Sequence, residues 1–188
     1  MGDAENCLKN EVHYRLIDRN NDMPELIETQ NPNFKIRFAA EVDVPVILNF
    51  IKELADYEHL ADQVTATEAI LRDSLFVREA AEVVIGEYNG EPVSFALFFH
   101  NFSTFLGKPG IYLEDLYVKP ELRGKGLGKL MLAFLAKLAI DRDCGRLEWW
   151  CLDWNHSSVQ FYKSMGAVPM DEWTVFRVSD KVLVDLAK

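Results

Sequence analysis

The sequence predicts a mixed α/β fold: a single domain in which helices flank a sheet whose strands do not all run parallel. Three observations carry this. The chain has 188 residues, enough for one ordinary domain and too few for two that each bury a large core. Apolar residues make up 49% and charged residues 27%, which is globular composition. Segments of period-two and helical-period patterning follow one another as β-α-α-β-β-β-α-β-α-β-α. That order does not alternate strictly, so a mixed sheet is expected in place of a doubly wound parallel one.

Residues 1–33 are the least regular stretch and read as an N-terminal extension of unassigned role, with the domain proper spanning 34–188. Asn20-Asn21-Asp22, Pro24 and Asn31-Pro32-Asn33 are turn formers, while short apolar groups at 12–17 and 23–27 leave docking as a strand or helical turn open. Phe34, Ile36 and Phe38 alternate with Lys35 and Arg37, the pattern of a strand. Asp43 then caps a helix carrying Val44, Ile47, Leu48, Ile51 and Leu54. Thr65 with Glu68 forms a capping box before a second helix. Two strands flank Asn89-Gly90, a type I′ hairpin signal, and a third runs from Ile111 to Val118. Leu130, Met131, Phe134, Leu135 and Leu138 mark an amphipathic helix opened by glycines. A strand at 146–152 follows, then a helix capped by Asn155 or Ser157 and stopped by Gly166, a last strand at 173–178 and a C-terminal helix at 180–186.

Charge narrows the function. Thirty acidic against 20 basic side chains give a net charge of -10, which opposes general binding to nucleic acid or an anionic membrane and draws in a small cation. Cys7, Cys144 and Cys151 are odd in number and lack metal spacing, as in a reduced cytoplasm. Neither a signal-peptide pattern nor an apolar run long enough for a span is present, and Asn6 stands where myristoylation wants Ser or Thr. His13, His59, His100 and His156 show no metal spacing, so no metal is expected. Cys151 shares a strand face with Leu147 and Trp149 and is expected to be a buried structural thiol.

Arg123-Gly124-Lys125-Gly126-Leu127-Gly128 joins a strand to a long helix, which puts unpaired N–H groups at the positive end of a helix dipole. Such a loop receives an anion, since glycines let a diphosphate approach the backbone. It is not a nucleotide triphosphate loop, because Leu130 stands where Ser or Thr would bind magnesium. Nor is it a dinucleotide fingerprint, which would need glycine at Lys129. A plain tight turn before a helix is the alternative reading of the loop alone.

Four motifs, Tyr112-Leu113-Glu114-Asp115-Leu116-Tyr117-Val118, Arg123 to Gly128, Asp153-Trp154-Asn155 and Gln160-Phe161-Tyr162-Lys163-Ser164-Met165-Gly166-Ala167, together resemble the GNAT acetyltransferase superfamily. Leu54-Ala55-Asp56-Tyr57-Glu58 and the spacing between motifs are similar to its spermidine/spermine (diamine) and thialysine acetyltransferase branch. The likeness runs from about residue 34 to 187, and residues 1–33 depart from it. It implies a mostly antiparallel, twisted sheet flanked by helices, and a homodimer that shares C-terminal elements.

The resemblance also implies the site. Arg123, Gly124, Lys125, Gly126, Leu127, Gly128 and Lys129 would cradle the pyrophosphate of acetyl-CoA, the cosubstrate. The backbone of Leu116, Tyr117 and Val118 would pair with its pantetheine arm where two strands splay apart, and Asn155, His156, Ser157, Ser158 and Tyr162 would line its far side. Asn155 and Ser157 equally suit a helix cap. Neutralising a lysine-like ammonium at pH 7 costs about 4–5 kcal/mol, so a base is needed, and Glu114 is implied as proton acceptor. Tyr162, read without the motif, is a core aromatic; within it, the phenol would protonate the departing thiolate. The N–H of Leu116 would stabilise the oxyanion. Tyr57, Glu58, Glu114, Glu148, Trp149 and Trp150 would receive a cationic amine through charge pairing and cation–π contact, although adjacent Trp149 and Trp150 point to opposite faces and one of them is expected in the core. The reading is a cytoplasmic N-acetyltransferase acting on a small primary amine. A protein-lysine or N-terminal acetyltransferase, or a weakly catalytic acyl-CoA-binding module, are the alternatives.

Overall fold

The computed structural model describes residues 25–188, so the expectations for residues 1–24 lie outside the described residues. The chain divides into two compact units that meet in sequence between Trp150 and Cys151.

The first unit holds a six-stranded sheet whose spatial order follows the chain: β1 (Ile27–Glu28), β2 (Phe34–Phe38), β3 (Glu82–Tyr88), β4 (Glu91–Ser103), β5 (Lys108–Val118) and β6 (Leu147–Trp149). All neighbours pair antiparallel except β5 and β6, which run parallel. The helical crossover between those two, α3 (Leu127–Asp141), is what a parallel connection requires. Of the segment at 23–27, Ile27 docks as a strand, opposite Ile36. Asn89 and Gly90 both have positive φ, 54° and 84°, as a type I′ turn demands, and they set the β3–β4 hairpin.

Helix α1 (Val44–Tyr57) covers one face of the sheet, and α2 (Glu68–Arg72) follows it. Val44, Ile47 and Phe50 of α1 are buried together with Ile85, Phe95 and Tyr117 of the strands, and the rings of Phe50 and Phe95 stack at 5.5 Å. Each such side chain contributes roughly 1.5–3 kcal/mol by leaving water. Helix α3 buries Leu127, Met131, Leu135 and Leu138, and its Phe134 meets Phe38 edge-on at 6.1 Å. Phe38 lies opposite Val84, Val84 opposite Ala96, and Ala96 opposite Leu116, so this row faces α3 while the alternate row faces α1.

Two caps differ from expectation. Asp43 occupies the N-cap of α1, but its carboxylate binds Arg37 through both oxygens, at 2.7 and 2.9 Å, in a buried pair that Glu87 extends. A buried carboxylate next to a guanidinium gains more from that bidentate pair than from a cap. At α2 the cap is Thr67, whose hydroxyl accepts from the Ile70 N–H at 3.3 Å, and not Thr65. Thr67→Ala is expected to lower unfolding free energy by about 1 kcal/mol in a urea titration, with Thr65→Ala near neutral.

The second unit contains α4 (His156–Ser164) and α5 (Asp180–Leu186). Asn155 caps α4 by accepting from the Ser158 N–H at 3.2 Å, and Gly166, with φ 88°, ends it. Residues 173–178, read from the sequence as a strand, make no strand here: among the described residues no neighbour offers them a ladder, and Phe176 is 91% exposed. Their β pattern describes a surface that needs a partner. The strand expected at 146–152 pairs only over Leu147–Trp149, so Cys151 falls beyond it and is half-buried, not buried.

Candidate active site

Strand β5 carries the site, and a β-bulge shapes it. The register runs Leu97 opposite Asp115 and then Phe98 opposite Leu113, leaving Glu114 as the extra residue. Leu97 packs on the α1 core, so its partner Asp115 faces α1. Leu113, opposite Phe98, faces α3, and alternation returns Glu114 to the α1 side. Two successive carboxylates therefore share one face, which an unbroken strand forbids.

The same bulge reverses the hydrogen-bonding edges of β5. Before it, the Ile111 N–H donates to Arg146 O at 3.0 Å, on the β6 side. After it, the Lys119 N–H donates to Val93 O at 2.9 Å, on the β4 side, although both positions are odd-numbered. Tyr117 thus turns its main chain to β4, while Leu116 and Val118 turn theirs outward. Strand β6 pairs no further than Leu113, so among the described residues the outward edge of Leu116 has no ladder partner. A backbone edge of this kind accepts an extended ligand strand-fashion.

The carboxylates gather where α1 ends. Burial holds the Asp115 carboxyl at about 6, well above its usual range, and the nearby charges of Glu114 and Glu58 push in the same direction. Burial also raises Glu58, the C-cap residue of α1. Tyr117 is driven up to about 12, first by burial and then by its hydrogen bond with Glu53. The structure therefore brings together Glu58 and Glu114 from the sequence reading and adds Asp115. Strand alternation would have sent Asp115 to the opposite face, so only the bulge reveals it.

The glycine loop is built for backbone access. Gly124 and Gly126 have φ of 79° and 80°, and a Cβ on either would meet nothing within 4 Å. Gly126 is the N-cap of α3, whose first N–H groups stay unpaired within the helix. Leu127 buries its side chain, so only its main chain is available, while Lys125 and Lys129 are exposed. Arg123 is already engaged: its Nε donates to Val118 O at 2.9 Å and its guanidinium lies 4.5 Å from the centre of the Tyr57 ring. That stacking ties the loop to the end of α1.

The remaining candidates are dispersed. Glu148 lies opposite Tyr112 on the α1 side, paired to Arg146 at 3.1 Å. Trp149, opposite Leu113, faces α3; Trp150 is 57% exposed and meets the Tyr112 ring edge-on at 5.7 Å. In the second unit, Asn155 accepts from the Ser157 hydroxyl as well as from Ser158, so the capping alternative is realised. His156 opens α4, and Tyr162 is half-buried beside Phe161, ring centres 5.3 Å apart. Among the described residues no three His, Cys, Asp or Glu side chains are disposed as metal ligands, and no helix is long and apolar enough to cross a membrane.

The mixed sheet, the open edge of β5 beyond Leu113 and the glycine-opened helix α3 fit the α/β acyltransferases. The chain belongs to the acetyltransferase (GNAT) family, whose model matches residues 48–167, and it is an N-acetyltransferase. It is 39% identical over 166 residues to thialysine N-epsilon-acetyltransferase of Bos taurus, covering 81% of this chain and 96% of that protein. It is 30% identical over 215 residues to an L-ornithine N5-acetyltransferase of Arabidopsis thaliana, covering 89% and 94%. An integron cassette protein from the mobile metagenome of V. cholerae shares the fold with a TM-score of 0.71 and 27% identity, over 83% of this chain and 98% of that one. The family and the mostly antiparallel sheet agree with the sequence reading.

Proposed function

We propose that this enzyme moves the acetyl group of acetyl-CoA directly onto a primary amine of a small cationic molecule of the polyamine or thialysine-like class. The bulge at Glu114 carries the reading, because it sets a carboxylate cluster beside the outward main chain of Leu116. The carboxylates attract the ammonium, and Glu114, the exposed member, accepts its proton directly or through water. The Leu116 N–H is the donor for the carbonyl oxygen as charge develops there. Tyr162 donates to the leaving sulfur. Gly124, Gly126 and the first turn of α3, with Lys125 and Lys129, fit a pyrophosphate, and Leu116 and Val118 fit the arm that follows it. Arg123 supports this loop through Val118 and Tyr57. Asn155, His156, Ser157 and Ser158 are assigned to the same cosubstrate by their motif.

Assay of free amines with acetyl-CoA, following thiol release, is the direct test. Turnover of diamines or basic amino acids is expected, and no turnover of any free amine would reject the reading. Gly126→Glu adds bulk and a like charge at the loop, and calorimetry should show CoA binding weakened at least about tenfold.

The active form is a homodimer in the cytoplasm. Trp173, Phe176, Val182 and Leu186 are 60–91% exposed, an apolar surface that a second copy would cover. A monomer at micromolar concentration by sedimentation would reject the dimer.

A further inference from the structure

The α1-facing side of the sheet continues past the carboxylates into a second polar group, made by Asn101 of β4, Arg146 just before β6, and Glu148 of β6. Their positions follow from register: Asn101 lies opposite Gly110, and Glu148 opposite Tyr112. The Arg146 guanidinium is 3.1 Å from the Glu148 carboxylate, to which the Asn101 amide also donates. Gly110 makes room for them. A Cβ there would stand 2.5 Å from Asn101 Oδ1 and 2.8 Å from Arg146 Cγ. Asn101 Oδ1 and Arg146 Nε are buried without a hydrogen-bond partner, a cost that a purely structural cluster would tend to avoid. The working ends of the pair reach solvent, with Arg146 and Glu148 side chains 36% and 39% exposed.

We infer that Arg146, with Glu148 and Asn101, holds the head group of an α-amino acid at the far end of the amine substrate, its carboxylate on Arg146 and its α-ammonium on Glu148. The inference rests on the acetyl-transfer reading and names which substrates that site prefers. Charge decides between the candidates. A zwitterionic head group matches an Arg–Glu pair group for group, whereas the second ammonium of a diamine placed on Glu148 would sit against the Arg146 guanidinium. Length agrees. Glu114 is two residues along β5 from Tyr112 and one strand across from Glu148, about 8 Å between main-chain positions, with both carboxylate side chains lying between main chain and substrate. The reacting nitrogen and α-carbon of an extended lysine-like side chain are about 6 Å apart.

The test compares pairs that differ only in the carboxylate: L-ornithine with 1,4-diaminobutane, and L-lysine with 1,5-diaminopentane. The wild-type enzyme should favour the amino acid of each pair at least about tenfold in kcat/KM. In Arg146→Gln that ratio should fall to within about threefold, chiefly through a higher KM for the amino acid. Arg146→Lys, which keeps the charge without the fork, should retain an intermediate ratio, and its melting temperature reports whether the fold survives. Equal or diamine-favouring wild-type values, or a ratio unmoved by Arg146→Gln, would overturn the inference and leave acetyl transfer standing. Absence of turnover on all four amines would overturn both.

Discussion

Tyr162→Phe is expected to lower kcat by about 10²–10⁴-fold while CoA affinity changes little, because in the proposed mechanism the phenol proton is needed only as sulfur leaves. The side chain is half-buried on α4 beside Phe161, so removing one oxygen leaves the packing of the ring in place. A melting temperature within a few degrees of wild type should accompany the loss. The effect should belong to kcat rather than to KM for the amine, since the phenol is assigned to the thiolate and not to substrate capture. Rapid-quench measurement of a single turnover distinguishes slowed chemistry from slowed product release. Wild-type turnover in the variant would return Tyr162 to the packing role that its position after Phe161 suggests, and solvent would then protonate the thiolate.

The parts of this enzyme legible in its sequence are those where local chemistry decides. Asn89-Gly90 admits one tight turn, and Gly124 and Gly126 take the positive φ that their residue type allows, so hairpin and loop follow from single residues. Helices α1 and α3 follow from apolar spacing, which the core confirms at Ile47, Met131 and Leu135. One failure is local, and the others depended on partners distant in sequence. Thr65 and Glu68 satisfy a capping pattern, yet Thr67 is the residue whose backbone turns into the helix. Residues 173–178 have strand composition without a strand beside them among the described residues. The bulge at Glu114 leaves no local mark, because it is a mismatch between the lengths of β4 and β5 and belongs to neither strand alone. Asp115 therefore carries no local signal, and neither does Arg146, which is marked only by its packing against Gly110.

Asp115→Asn should make the protein more stable at neutral pH and less active, an opposition that separates a functional carboxylate from a structural one. The folded carboxyl titrates at about 6 and the unfolded one near 3.8, so between those values the native state keeps a proton that the unfolded chain gives up. Stability on this account is full below the unfolded value and declines as pH rises through 6. By pH 7.5 the ionised group costs the fold about 2–3 kcal/mol. Burial is the larger cause and the charges of Glu114 and Glu58 add to it, so an uncharged asparagine removes the penalty while nearly keeping the shape. Urea unfolding should show a gain of about 1–3 kcal/mol at pH 7.5 that shrinks towards zero near pH 4. Activity should move the other way. Loss of this charge weakens the attraction for an ammonium, so kcat/KM should fall, and an acidic limb near pH 6 that reports Asp115 should disappear. A variant less stable than wild type at pH 7.5 would show that Asp115 is a satisfied structural carboxylate, and the carboxylate cluster would lose its place in substrate capture.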